Sequence, residues 1–392
     1  MVAVSGGRLD LSALPLVDQH CHGVVAGPLE PAAFAAFLTE SRQPLPFGGS
    51  WFDSQLGFAV RAVCPPLLEL APHASPDEYL ARRAELGSVE VTRRLLRSTG
   101  ISDYLVDTGF QPERVTPPAE LAAYTQASGH EVVRLETIAE QVIATTDPAQ
   151  FADTLRETLH ARAATAIAFK SVAAYRVGLD LDPGRPSDAE VTAAAENWVS
   201  GTAAHRLADA TLVRFLLWSA VDLGRPLQFH VGYGDSDLDL HRCDPLLLTP
   251  LLRATAGLGV PIMLLHNYPF HRSAGYLAQV FDHVFVDVAL ALSNLGTRAD
   301  ALLAELLELA PFESVLFSSD AFGLAELYPL STALFRHALS AFLDDGISRE
   351  FWPAAEAERI ARLITSGNAR RAYRLRASSA PSVESARWTR GE

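Results

Sequence analysis

Eight short apolar runs, separated by longer segments of helical pattern, constrain the fold of this chain more than any other feature. The runs are LPLVDQH (14–20), SDYLVDTG (102–109), EVVRLET (131–137), AIAFKS (166–171), PLQFHVG (226–232), PIMLLHN (261–267), HVFVDVA (283–289) and SVLFSSD (314–320). Each is rich in Val, Ile, Leu or Phe and bounded by Gly, Pro or polar residues, as buried strands are. The segments between them read as helices. One begins with Asp147 and Pro148, a capping residue followed by a first-turn proline. Strands alternating with helices predict a parallel α/β sheet, and eight is the number that closes a (β/α)8 TIM barrel. An open doubly wound sheet is the alternative. No glycine-rich phosphate loop follows the first strand, so nucleotide binding of that kind has no support.

The interval between the first two runs is too long for a simple crossover. It predicts a helical insertion, about 30–100, lying over the barrel mouth, with one helix near 77–98. The expected unit is therefore a single barrel over 1–376. The small, polar tail ASSAPSVESARWTRGE (377–392) is expected to be disordered.

Composition narrows the function. The chain has 392 residues and a net charge of −14, which argues against a nucleic-acid surface. No run of 18 apolar residues predicts a membrane span. The first residues lack the basic and apolar regions of a secretory signal. Three cysteines, Cys21, Cys64 and Cys243, form no CxxC pair. A reduced, cytoplasmic protein acting on a small molecule is the expectation, with homo-oligomer formation left open.

The ends of the apolar runs carry the chemistry. His20 and His22 close the first, Lys170 the fourth, His230 the fifth, His266 the sixth and Asp320 the eighth. Barrel enzymes build their active sites at this end of the strands. Residues two apart on a strand share a face, so His20 and His22 can hold one metal while Cys21 points away. Any one of these residues alone has a plainer reading, as a turn cap or a packed side chain. Their agreement in register points to a metal site.

Lys170 is the single lysine beside 31 arginines. A desolvated lysine has a lowered pKa, and its neutral amine can capture CO₂ as a carbamate that ligates metal. Arginine stays protonated and cannot. The other role for Lys170 is an ammonium that binds a substrate carboxylate. Further candidates for substrate contact are Tyr175, Arg176, Asp235, Asp237 and Glu136. Arg176 suits a carboxylate, and the acidic pair suits an ammonium. Arg134 and Glu136 read as neighbours at the end of the third strand, with an Arg–Glu pair inside the barrel as the plainer reading. Asp107 and Asp287 are left open.

At these residues the sequence resembles the amidohydrolase superfamily. The closer likeness is to the amidohydrolase-2 branch, in its nodulin-type and glutamine-synthetase-associated members. The stretches LVDQHCH, AFKSVAAYRVGLDL, LQFHVGYGDSDLDL, MLLHNYPFHRSAGYLA, VLFSSDAF and SGNARRAYRL carry it. The resemblance implies a TIM barrel with one or two divalent metals, zinc first among them. It also implies hydrolysis of a C–N bond, such as that of a γ-glutamyl amide or another amino-acid conjugate. Its expected metal ligands are His20, His22, Lys170, His230, His266 and Asp320. Asp320 would act as general base and acid, assisted by Lys170 and His266. Relatives in the wider branch include decarboxylases and isomerases. A metal-dependent decarboxylase and a non-catalytic metal-binding protein are the competing expectations.

Overall fold

A computed structural model describes residues 4–5, 8–201 and 206–376. The expected tail, 377–392, lies outside the described residues. Seven strands form one parallel sheet in strict sequence order. They are β1 (Leu16–Cys21), β2 (Ile101–Asp107), β3 (Ser128–Arg134), β4 (Ala168–Ser171), β5 (Leu227–Val231), β6 (Ile262–His266) and β7 (Val284–Val286). An antiparallel pair, Val4–Ser5 with Arg8–Leu9, precedes them.

The eighth expected strand, 314–320, is not a regular strand. Its backbone nevertheless bonds to both edges of the sheet: Leu316 N donates to Val286 O (3.0 Å), and Gln19 N donates to Phe317 O (3.1 Å). The sheet therefore curls, with an irregular segment between its first and last strands.

Alternation along the strands divides the core into two layers. Val17, Leu105, Val132, Ala168, Met263, Leu265, Phe285 and Leu316 pack together on the inner face. Their neighbours, such as Tyr104, Phe169, Phe229 and Leu264, belong to the larger core shared with the helices. Strand β5 contributes only polar side chains, Gln228 and His230, between its outward Leu227, Phe229 and Val231. Tyr373, just past the helix Asn368–Ala372, joins the inner cluster and bonds Gln228 and Gln19.

Local signals in the sequence are used as expected. Asp147 caps its helical turn by accepting from Ala149 N, and Ser75 and Ser187 form capping boxes with Glu78 and Glu190. The helix expected near 77–98 is two helices, Pro76–Leu86 and Ser88–Arg97. They break at Gly87, whose φ of +77° is open to glycine but strained for other residues. No helix among the described residues is long and apolar enough to cross a membrane.

Candidate metal centre and substrate cavity

A cavity of about 420 Å³ opens at the carboxyl ends of the strands. His20, His22, Lys170, His230, His266 and Asp320 all line it. The structure thus brings together every residue expected to ligate metal.

The HxH pair faces the cavity for a reason beyond simple alternation. Asp18 pairs with Tyr104 and Cys21 with Val106, so β1 has one residue more than β2 between these positions. That is a bulge. It lets Gln19 and His20 both turn inward, since Gln19 bonds Asp287 while His20 bonds Gln228 and Lys170. Cys21 packs into the outer core, as expected.

His266 also needs a backbone device. Met263 and Leu265 face inward on β6, so alternation alone would turn His266 out. Its φ of +69° and that of Asn267, +58°, bring the imidazole into the cavity. Asp287 secures this turn by accepting from His266 N at 2.7 Å. Asn267 secures it by donating to Leu264 O and Asp287 O. Asp320 is likewise left-handed, with φ +50°, and Asp18 fixes the preceding residue by accepting from Ser319 N and Oγ.

The hydrogen bonds set the protons. Gln228 Nε2 donates to Gln19 O, so its Oε1 must face His20 Nδ1, 2.9 Å away. His20 therefore carries its proton on Nδ1. The bare Nε2 points at Asp320 Oδ1 (3.2 Å) and at Lys170 Nζ (3.3 Å). His22 donates from Nδ1 to Asp107 O, and its bare Nε2 lies 3.6 Å from the same Asp320 oxygen. His266 Nδ1 is 3.4 Å from Asp320 Oδ2, and this nitrogen and His230 Nε2 are buried without a hydrogen-bond partner.

Lone pairs of neutral imidazoles facing a carboxylate repel each other unless a cation lies among them. Burial and then Lys170 pull His20 down to about 4, and burial first of all holds His230 and His266 well below the usual histidine range. Burial alone would raise Asp320, but the histidines around it, His266 foremost, hold it well below the usual carboxylate range. Neutral histidines and an ionised carboxylate are the states that bind a divalent metal. Two sets of donors are close enough to share an ion, His20 with His266 and Asp320, and His20 with His22 and Asp107. The residues present fit the metal that the sequence implies.

Lys170 is buried at the centre of this floor, and desolvation brings its amine down to about 8. Behind it stands Glu136, and here the expectation is corrected. Strand β3 stops at Arg134, and Glu136 lies in the first turn of the helix Leu135–Ile143. It is fully buried and accepts from Ser171 Oγ (2.6 Å) and Val172 N (3.0 Å), so it braces the end of β4 and does not line the cavity. The expected Arg134–Glu136 pair is also absent. Arg134 pairs with Asp107 at 2.6 Å and stacks over Phe110. Burial would raise Asp107, but Arg134 holds it below the usual range.

The remaining candidates line the cavity, but most are already engaged. Arg176 pairs with Glu140 at 3.0 Å. Asp235 and Asp237 pair with Arg42 at 2.9 and 2.7 Å, and Asp237 with Arg206 at 3.3 Å. An acidic pair occupied by two arginines offers less to a substrate ammonium than its sequence suggested. Tyr175 lies against His230, with ring centroids 4.6 Å apart, and receives Asp235 N at its hydroxyl. The chain turns so tightly here that a Cβ on Gly234 would run into that hydroxyl. Sequence reasoning missed Asp18, Gln19 and Gln228, the buried polar partners of the ligands. A signal existed for Gln228, which lies two residues before His230 and so on the same face. It missed Glu40 and Arg42, which the long connection after β1 delivers to the cavity.

A family model described as amidohydrolase matches residues 107–375. A provisionally assigned metal-dependent hydrolase from Lactobacillus casei has a similar structure, with a TM-score of 0.83 and 30% identity over 94% of this chain and 98% of that one. Uronate isomerase from Thermotoga maritima, 14% identical over 95% of this chain and 99% of its own, superposes with a TM-score of 0.61 and shares the fold. Protein fluG of Emericella nidulans is 26% identical over 96% of this chain. The chain spans about half the length of that curated relative, 47%.

Proposed function

The chain belongs to the amidohydrolase family, and from that premise we propose that it is a metal-dependent hydrolase of a C–N amide bond. The observation that supports this reading best is the convergence of His20, His22 and His266 on the one carboxylate of Asp320. These four residues would hold the metal, with zinc the first expectation from histidine and carboxylate donors. A divalent cation bound there supplies Lewis acidity toward a carbonyl and lowers the pKa of water to about 7.

The chain's own residues then have distinct tasks. Gln228 and the Asp107 carbonyl fix the imidazole tautomers. Asp320 accepts the proton of the attacking water and returns it to the leaving nitrogen. His230 keeps Nε2 free beside His266 and would polarise the carbonyl or complete the ligand set. Lys170 would serve as a carbamate in that set, which its lowered pKa supports, or as an ammonium toward the substrate. Tyr175 and Arg176 would contact the substrate. The eight-stranded barrel is the architecture that the bonds of 316–321 to both sheet edges support.

Elemental analysis of the purified protein, followed by a screen of γ-glutamyl and other N-acyl amides with Asp320→Asn beside it, tests the proposal. The variant is expected to lose about 10²–10⁴-fold in kcat. Full turnover with metal retained would refute the role of Asp320. Release of CO₂ in place of an amine would make the protein a decarboxylase. Lys170→Ala should lose metal and regain it with a small carboxylic acid if the carbamate is the ligand, and unchanged metal content would exclude that form.

A further inference from the structure

The charges around the cavity almost all have partners. Arg42 is held by Asp235 and Asp237, Arg134 by Asp107, Arg176 by Glu140, and Arg206 by Asp237. Asp320 sits among the histidines. Among the carboxylates of the lining, Glu40 is the exception. It lines the cavity, half-buried, and among the described residues no hydrogen bond or ion pair engages its carboxylate. Burial, then the charges of Asp320 and Asp235, push it up to about 7. Tyr175 lines the same cavity.

A carboxylate withdrawn from water without a partner is costly, and the natural complement is a cation. A cation at Glu40 would also relieve its repulsion with Asp235 and Asp320. Arg176 uses one nitrogen in its ion pair with Glu140 and keeps further donors, so it can still receive an anionic end. We propose that Glu40 is the receptor for a protonated amine of the substrate, and that the amide cleaved here belongs to a compound carrying a free ammonium group. The acceptor is therefore Glu40, and not the occupied pair Asp235 and Asp237. The reaction in this statement rests on the hydrolase reading above, whereas the binding assignment stands apart from it.

Calorimetric titration of the zinc-loaded protein with L-glutamate and with its desamino analogue glutarate, neither of which carries an amide, tests the assignment without turnover. L-glutamate should bind roughly tenfold to a hundredfold more tightly, the value of one charge-assisted hydrogen bond. Glu40→Gln, with metal content and melting temperature checked, should reduce that preference to within about threefold. Equal affinities in the unaltered protein, no binding of L-glutamate at millimolar concentration, a preference kept by Glu40→Gln, or loss of metal in that variant would each overturn the proposal. A preference that depends on Glu40 in a protein that cleaves no amide would leave Glu40 assigned and the hydrolase reading refuted.

Discussion

At the floor of the cavity, His20, His22, His266 and Asp320 are held by buried partners from neighbouring strands. At its rim, Arg42, Arg206, Asp235 and Asp237 are held by one another and by Tyr175, which accepts from Arg206 and from Asp235 N. The contrast is visible in exposure: the His20 side chain is 1% exposed and that of Arg42 56%. On the floor each ligand is oriented by a second group whose own bonds are satisfied, as Gln228 orients His20 and Asp287 the turn at His266. Burial keeps those interactions strong and fixes the protons. On the rim, solvent and salt screen ion pairs that join segments far apart in sequence. The floor is thus preorganised for one chemistry, while the rim can change its substrate at little cost to the fold.

The largest effect should come from breaking the floor itself. His20→Ala removes the imidazole shared by both donor sets. Metal content, measured by elemental analysis after exchange into metal-free buffer, should fall from stoichiometric to background. Retention of a full equivalent would mean that the ion sits elsewhere.

The next effect tests where the floor meets the wall. Arg134→Ala leaves Asp107, whose side chain is 0% exposed, without its cation. Breaking a buried pair from one side costs about 3–5 kcal/mol, so the urea midpoint should fall markedly. A midpoint unchanged from that of the unaltered protein would place Arg134 with the rim.

A smaller effect is expected one layer below the ligands. Asp287→Asn weakens an acceptor of Gln19 Nε2, Ser318 Oγ, His266 N and Ala289 N without replacing a proposed ligand. Metal affinity, from competition with a chelator, should drop roughly tenfold to a hundredfold. If affinity holds, the left-handed turn at His266 does not depend on that carboxylate.

The two regions also differ in how far the sequence disclosed them. Strand ends were legible because period and composition act locally, and so His20, His22, Lys170, His230, His266 and Asp320 were found from their positions. The means by which two of them reach the cavity were not. The bulge in β1 depends on pairing with β2, and the left-handed turn at His266 depends on Asp287, 21 residues on. Glu136 was misread because the apolar pattern of β3 runs on into the helix that begins at Leu135. The rim was scarcely legible. Asp235 and Asp237 suited a substrate ammonium in the sequence, since their partner Arg42 is 193 residues from Asp235 and lies in a stretch, 39–45, that is neither strand nor helix. Asp18, Gln19 and Gln228 were overlooked because a polar residue inside an apolar run reads as an interruption, whereas here each has a buried partner.

The smallest effect should come from the rim, and it is the sharpest test of the contrast. Arg42→Ala removes the one residue that ties the connection after β1 to both Asp235 and Asp237. Because the pair is exposed, the urea midpoint should not move measurably. What should change is entry to the cavity. KM on a cleaved amide should shift by less than about tenfold, and the difference between variant and unaltered protein should shrink as salt is added. A salt-independent loss of kcat would show that Arg42 acts on the chemistry of the floor. The two regions would then be coupled, and the loop that carries Glu40 and Arg42 would be part of the catalytic apparatus.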